Sequence, residues 1–473
     1  MPAQIKHLFV LMLENRSFDH MLGFMRSDEY PIDGLDGTES NPDADREPVR
    51  VTQDAQYTGD LTDDPHHHFP DVMQQIFGTK TPASGDAPAM QGFVSNYQTV
   101  TGNAAKAANI MKCFSPANLP VLTTLAQQYA TCDHWYSSIP GPTLPNRLYA
   151  HCGTSQGRLE MSPDDYAGFY TVYEELAEQD VASCIFYHDW TAAMTFNCLL
   201  QHQNLFYADF ATFATLCAGD EGDVPSYCFL EPRYNPEPGQ VGGQYPANDQ
   251  HPDNNVGAGE ELIRDVYNAI RKNDALWQSS MLVIVYDEHG GIFDHEPPVK
   301  MPSPDGKSSV EPPFDFTLSG VRVPAVVVSP YIKAGTICSR TYDHTSLIST
   351  AMKLFSPAKW PSAALGARAQ AALDLTSLLN LNMPPRMDVP DLTTPAQAGV
   401  VAQIQASAVA PRLSDLQKET LLQAASVNAK LPAGVQLKQR IKSINDPIMA
   451  NAYVKHVMAT AIASRGTKNG GSK

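Results

Sequence analysis

No stretch of this 473-residue sequence approaches the roughly 20 consecutive apolar residues that a membrane-spanning helix requires; the apolar run at residues 8–13 is six long. The N-terminus, Met1-Pro2-Ala3-Gln4-Ile5-Lys6-His7, leads through that run straight into Glu14-Asn15-Arg16, so the pattern of a secretory signal is missing. The expectation is a soluble chain, with secreted and cytoplasmic locations both left open. Basic residues are scarce: 33 Lys and Arg stand against 51 Asp and Glu, a formal charge of −18. That balance excludes a broad electrostatic footprint for nucleic acid and disfavours stable adsorption to an anionic membrane. Neutral lipid headgroups and small soluble phosphates are the phosphate partners it leaves. Cys-x-x-Cys pairs are also missing among Cys113, Cys132, Cys152, Cys184, Cys198, Cys217, Cys228 and Cys338. This argues against a structural zinc cluster or a thioredoxin-type redox site and predicts buried free thiols.

What is present reads as alternating buried strands and amphipathic helices. Residues 6–13 are nearly all apolar and end abruptly in Glu14-Asn15-Arg16-Ser17, which is loop and cap chemistry. Residues 281–286 have the same form and end in Asp287-Glu288-His289-Gly290-Gly291; a third strand, residues 321–329, carries Pro324. Residues 260–273 place Leu262, Ile263, Val266, Tyr267 and Ile270 on one helical face, and residues 119–129 and 346–355 read similarly. The pattern predicts a mostly parallel α/β sheet covered on both faces, with ligands gathered at the carboxyl ends of the strands. Residues 29–105 and 219–258, rich in Asp, Pro, Gly and Asn, read as long loops framing a site. Past residue 385 the composition turns Pro-rich, then rich in Ala and Gln, before a helix opened by Ser414-x-x-Gln417. The expected division is a main domain over residues 1–385 and a helical C-terminal region over 386–473, with residues 468–473 unstructured.

Two strand ends carry adjacent oxygen donors, Glu14-Asn15 and Asp287-Glu288, which can converge on one hard or borderline cation. The alternative is that the first pair caps a helix while the second faces solvent. In Pro140-Gly141-Pro142-Thr143-Leu144-Pro145-Asn146-Arg147, prolines stiffen a turn that mounts one hydroxyl at a helix N-terminus, a position suited to an anion. Beside a cation such a hydroxyl loses its proton more readily and attacks phosphorus, with Asn146 and helix N–H groups facing the non-bridging oxygens. The plainer reading makes Thr143 an N-cap. His66-His67-His68, His251 and His344 are candidate ligands or proton donors, each with a solvated or capping alternative; His134 and His151 read as structural.

These residues carry a resemblance. The segments from Leu13 to His20, from Pro142 to Arg147 and from Tyr286 to His295 are similar to the three signature blocks of the phosphoesterase family, which contains bacterial phospholipases C, acid phosphatase A enzymes and plant non-specific phospholipases C. Asp64-Pro65-x-His67, Asn248-Asp249-x-His251-Pro252 and Asp343-His344-Thr345-Ser346 recur in order, so the likeness spans about residues 5–360. The resemblance implies an alkaline-phosphatase-like three-layer α/β/α core and a divalent cation (Ca, Zn, Mg or Mn) held by Glu14, Asn15, Asp287 and Glu288. It further implies a covalent nucleophile at Thr143, supported by Asn146, His67 and His251. The family pattern has a single histidine after Asp-Pro where this chain has three, and secreted bacterial members usually begin with an export signal, a pattern that this sequence does not show.

The resulting expectation is a phospholipase C-type enzyme that releases diacylglycerol, contacts membrane surfaces transiently and uses His251 or His67 to protonate the leaving alkoxide. Two alternatives share these motifs: an acid phosphatase acting on soluble monoesters, and a phosphate- or lipid-binding protein without catalysis. Oligomeric state is not legible in the sequence.

Overall fold

The computed structural model describes residues 4–160, 168–191, 193, 206–207, 210–238, 244–358, 360, 363–388, 390, 392, 413–431, 433, 436–437, 441, 444 and 446–469. Eight strands build the main sheet: β1 (His7–Leu13), β2 (Ala130–Cys132), β3 (Ser183–Phe186), β4 (Phe206–Tyr207), β5 (Tyr227–Leu230), β6 (Ser280–Tyr286), β7 (Ala325–Val328) and β8 (Thr336–Cys338). Their order across the sheet is β8-β2-β7-β6-β1-β5-β3-β4, and every strand runs the same way except β7, which is antiparallel to both of its neighbours. The helices that matter here are α1 (Phe69–Phe77), α2 (Phe93–Thr101), α3 (Pro120–Gln128), α4 (Thr143–Cys152), α5 (Val172–Ala177), α6 (Phe210–Ala218), α7 (Val256–Arg271), α8 (Thr345–Phe355), α9 (Asp415–Lys430) and α10 (Pro447–Asn469).

The pleat assigns those helices to two faces. Phe9 and Phe229 sit on adjacent rungs of the β1–β5 ladder and so point to opposite sides. Phe9 meets Phe213 of α6, and Phe229 meets His151 of α4. Helices α3 and α6 pack on α7, whereas α4 and α5 pack on α8, which gives a three-layer α/β/α sandwich. Burial on both faces is why all seven residues of β1 and all seven of β6 are buried and almost all apolar. Each fully buried Val, Leu or Ile contributes roughly 1.5–3 kcal/mol.

Three predicted helices appear at α3, α7 and α8, and the capping box is present: Gln417 N donates to Ser414 Oγ, and Ser414 N to the Gln417 side chain. The third strand is shorter than predicted, beginning after Pro324, and it runs against the sheet. The region 29–105 contains α1 and α2, and the region 219–258 contains β5, the direct neighbour of β1. Helix α1 buries Phe69, Val72, Met73 and Ile76, an i, i+3, i+4, i+7 face that the surrounding Pro and His residues disguise. The seven described cysteines are free and buried, and Cys198 lies outside the described residues. The Ala- and Gln-rich run before residue 413 and residues 470–473 also lie outside them. Among the described residues, no helix is long and apolar enough to cross a membrane.

Candidate active site

Parallel pairing in register places the two strand-end clusters side by side. Leu13 lies opposite Tyr286, so Glu14-Asn15 and Asp287-Glu288 leave adjacent strands at the same level, at the carboxyl edge of the sheet. The backbones then lace together: Asp287 N donates to Leu13 O, Asn15 N to Asp287 Oδ1 at 3.0 Å, and Arg16 N to Glu288 O. Asn15 turns in the left-handed region at φ 54°, which asparagine tolerates better than most residues. Gly290, at φ 65°, approaches so closely that a Cβ there would stand 2.3 Å from Asn15 O; at Gly291 a Cβ would stand 2.6 Å from His66 O. Those two glycines let the second block fold against the first and against the histidine loop.

Thr143 is the first residue of α4. Pro142 occupies the cap position, so the hydroxyl is not spent on capping. Instead, buried, it donates to Asn15 Oδ1 at 3.1 Å. Asn146, expected to face substrate oxygens, has its amide bonded to backbone: its Oδ1 accepts from Ile139 N, and its Nδ2 donates to Gly141 O at 2.9 Å and Pro142 O at 3.1 Å. It braces the proline turn that carries Thr143.

Arg147, one turn along α4, is a member the sequence reading did not single out. Its Nε donates to Asp287 Oδ2 at 2.9 Å and its Nη1 to Glu231 Oε2 at 2.7 Å, while its Nη2 stands 3.9 Å from Glu14 Oε1. Glu231 follows directly on β5, accepts from Thr191 and Tyr234, and could have been found only by seeing that β5 adjoins β1. The Tyr234 ring covers the guanidinium at 5.4 Å.

The histidines divide in role. His67 Nδ1 donates to Pro65 O at 2.8 Å, which leaves Nε2 as the acceptor facing Asn15 Nδ2 at 3.5 Å. His251 Nδ1 donates to Asp253 Oδ1 at 2.5 Å, and its Nε2 lies 3.7 Å from Asp64 Oδ1. Burial opposes its charge, but Asp253, Asp64 and Glu14 hold the imidazole protonated well above its usual range. His66 stays on the rim beside Asp71, and His68 is held between Glu160 and Asp415. His344 precedes α8 without a side-chain cap bond and instead faces Asp287 O. His151 is buried against Tyr173 and Phe229, and His134 lies on Asp33, away from Thr143.

The donor set is short of positive charge. Burial, then Asp249 and Asp287, push the Glu14 carboxyl well above its ordinary range; burial, then Asp287, do the same to Glu288. Burial raises Asp249 to about 7. Glu14 Oε1 and Glu288 Oε1 are buried with no hydrogen-bond partner. Orphaned carboxylate oxygens in a cluster of like charges fit a bound divalent cation, which would cancel the repulsion and accept their unused lone pairs. Glu14, Asp287 and Glu288 are not, however, gathered as tightly as two other groups of potential ligands, Asp19 with Asp294 and His295, and Asp33 with His134 and Glu296.

The sequence model of the phosphoesterase family matches residues 5–356. Non-specific phospholipase C6 of Arabidopsis thaliana is 35% identical over 96% of this chain and 86% of its own length. Non-specific phospholipase C1 of the same plant is 37% identical over 74% of this chain and 67% of its own length. Phospholipase C B of Mycobacterium tuberculosis is 25% identical, covering 83% and 81% respectively. Among solved structures, an alkaline phosphatase superfamily protein of Vibrio parahaemolyticus aligns at TM-score 0.35 and 12% identity, covering 79% of this chain and 71% of that one. The lipoteichoic acid synthase LtaP of Listeria monocytogenes aligns at 0.36 and 9%, covering 78% and 76%. The chain belongs to the phosphoesterase family and is a hydrolase acting on phosphate ester bonds.

Proposed function

We propose that the chain is a phospholipase C-type phosphodiesterase whose nucleophile is the Thr143 hydroxyl. The observation that carries this reading is the position of that hydroxyl: buried, at the N-terminus of α4, free of capping duty and directed onto Asn15, whose backbone N–H is bonded to Asp287 of the second carboxylate block. Glu14, Asn15, Asp287 and Glu288 would hold the divalent cation, which when bound supplies Lewis-acid polarisation of phosphate oxygens and lowers the pKa of a neighbouring hydroxyl. Asn15 Oδ1 orients the Thr143 hydroxyl, and His67 Nε2 fixes the Asn15 amide. Arg147 holds Asp287 and adds positive charge behind the phosphate.

Attack by Thr143 Oγ1 on phosphorus, with its hydroxyl proton lost to solvent, breaks the bond to the glycerol oxygen. His251, protonated by its carboxylate neighbours, donates the proton that releases diacylglycerol. The neutral imidazole then takes a proton from water, whose oxygen displaces Thr143 Oγ1 from the headgroup phosphate, and Thr143 regains its hydroxyl proton from solvent. Proton donation from His251 rather than His67 follows from the hydrogen bonds, since the His67 ring already donates Nδ1–H to Pro65 and accepts at Nε2.

The adjoining cavity, about 600 Å³, favours a lipid diester over a small monoester. Its wall includes Asp63, Asp64, Asp253 and Asp415, the basic Lys418 and His66, and apolar Val100, Leu413 and Ile444. A wall that mixes acidic, basic and apolar side chains offers a zwitterionic headgroup and its glycerol backbone both charge and apolar contact. The test compares phosphatidylcholine with p-nitrophenyl phosphate, with and without chelator, using Thr143→Ala as control. Faster lipid turnover, lost in the variant, is the expected result; faster monoester turnover moves the enzyme to the phosphatase reading.

A further inference from the structure

Strand β8 (Thr336–Cys338) closes one edge of the sheet and pairs only with β2, over three rungs: Thr336 with Ala130, Ile337 with Thr131 and Cys338 with Cys132. The last rung therefore sets two cysteines that are remote in sequence side by side, on the same face of the sheet. Neighbouring strands run about 4.8 Å apart, inside the Cα separation of roughly 4.4–6.8 Å that a disulfide spans. Both cysteines are free thiols, and they are hydrogen bonded to each other.

The two sulfurs are not equivalent. Cys132 is fully buried, and its hydrogen bond to Cys338, then burial, raise its thiol well above the ordinary range. Cys338 keeps 8% of its surface and is followed by the exposed Ser339 and Arg340. Bonds from the Cys132 thiol, from Arg340 N–H and from the Tyr342 hydroxyl at 3.6 Å hold Cys338 below the ordinary range in spite of burial. A sulfur that ionises readily at the surface, with a second sulfur behind it, is the arrangement of an attacking and a resolving cysteine. Cys184 and Cys228 also share a rung, between β3 and β5, but both are fully buried and Cys228 Sγ is turned to Pro225 O at 3.4 Å.

We propose that Cys132 and Cys338 are a redox pair that closes to a disulfide under a peroxide and clamps the edge strand β8 to the sheet. The Cys338 thiolate attacks one peroxide oxygen; the O–O bond breaks, Cys338 becomes the sulfenic acid, and the departing hydroxide takes a proton from solvent. The Cys132 sulfur then displaces that hydroxyl group, which leaves as water with the Cys132 proton while the S–S bond forms. Two thiols are oxidised and one peroxide is reduced to two waters. The clamp lies at the root of two segments that lead to the phosphoesterase site. One runs from Cys132 through Trp135 to Thr143, the other from Cys338 through Tyr342 to His344. Trp135 stacks on Tyr342 at 5.5 Å and its Nε1 donates to His344 Nδ1 at 3.3 Å, while His344 Nε2 donates to Asp287 O. A covalent tie beneath those contacts makes the short edge strand resist fraying.

The test exposes the full-length protein to hydrogen peroxide, blocks the remaining thiols with N-ethylmaleimide and maps cross-linked peptides by mass spectrometry without reduction. Wild type, Cys338→Ser, Cys132→Ala and Cys228→Ala are compared, with thermal unfolding in parallel. The wild type is expected to yield a peptide pair joined between Cys132 and Cys338 and released by dithiothreitol. After denaturation it should show two fewer titratable thiols than the eight of the reduced chain. Oxidation should raise the melting temperature of the wild type and Cys228→Ala by about 2 °C or more and leave Cys338→Ser and Cys132→Ala unmoved. Cys338→Ser, at the end of an edge strand, guards against a packing defect in Cys132→Ala. A full count of thiols after peroxide, a sulfonic acid at Cys338 beside a reduced Cys132, or a disulfide joining Cys184 to Cys228 in its place would overturn the pairing. A Cys132–Cys338 cross-link that leaves the melting temperature unchanged would overturn the clamp.

Discussion

Replacing Arg147 by Met tests the electrostatic frame of the site without leaving a hole, because methionine fills most of the guanidinium's stem. Arg147, Asp287 and Glu231 are all fully buried, and the two ion pairs measure 2.9 and 2.7 Å. Removing one partner of such a buried network leaves the others charged and desolvated, which costs about 3–5 kcal/mol. The surplus here is large, because Asp287 and Glu231 both lose their charged donor and Glu14 loses its neighbouring cation. Urea denaturation of the metal-free protein, read by circular dichroism, should show a loss of that size. The double variant Arg147→Met/Glu231→Gln should recover part of it, since one of the stranded charges is gone. A loss below about 1 kcal/mol in the single variant would refute the claim that this arginine neutralises the site.

Gly290→Ala should cut both stability and turnover by at least tenfold in the corresponding equilibrium and rate, because its Cβ would meet Asn15 O at 2.3 Å with φ at 65°; wild-type kcat in this variant would contradict the close approach. Glu260, which accepts from Val121 N and Leu122 N, is raised by burial to about 8. The folded state therefore binds the extra proton between the ordinary glutamate range and about 8, so this contribution to stability is full at low pH and fades as pH rises through about 8. Glu260→Gln should flatten the melting-temperature profile over that window; an unchanged profile would contradict the assignment. His68, raised to about 10 by Asp415 and then Glu160, should titrate lower in Asp415→Asn, as read by NMR of the imidazole; an unmoved titration would mean that the first turn of α9 is not docked there.

The parts of the fold that were legible are those where burial writes itself into local composition. Strands β1 and β6 are covered on both faces and therefore appear as apolar runs, and each ends in a donor cluster because the register brings Leu13 level with Tyr286. Strand β5 escaped because Tyr227-Cys228-Phe229-Leu230 is only four residues long and sits between Pro225 and Pro232 in a polar stretch. The antiparallel course of β7 leaves no mark on its sequence, since both directions bury the same side chains. At the site, Glu14, Asn15, Thr143, Asp287 and His251 could be picked out because chemistry clusters locally around them. The parts played by Arg147 and Glu231 depend on contacts across 84 positions, and no spacing rule encodes those. Asn146 shows the converse: its type suggested a substrate contact, but three backbone carbonyls of the proline turn and Ile139 N take up its amide.

The central claim is that Thr143 becomes covalently attached to phosphorus. The most direct measurement is rapid acid quench of enzyme turning over phosphatidylcholine, followed by proteolysis and mass spectrometry of the peptide containing residues 143–147. The account predicts a phosphocholine adduct on Thr143 that is absent from Thr143→Ala, together with loss of turnover in that variant. An unmodified peptide under turnover, with Thr143→Ala fully active, would contradict it.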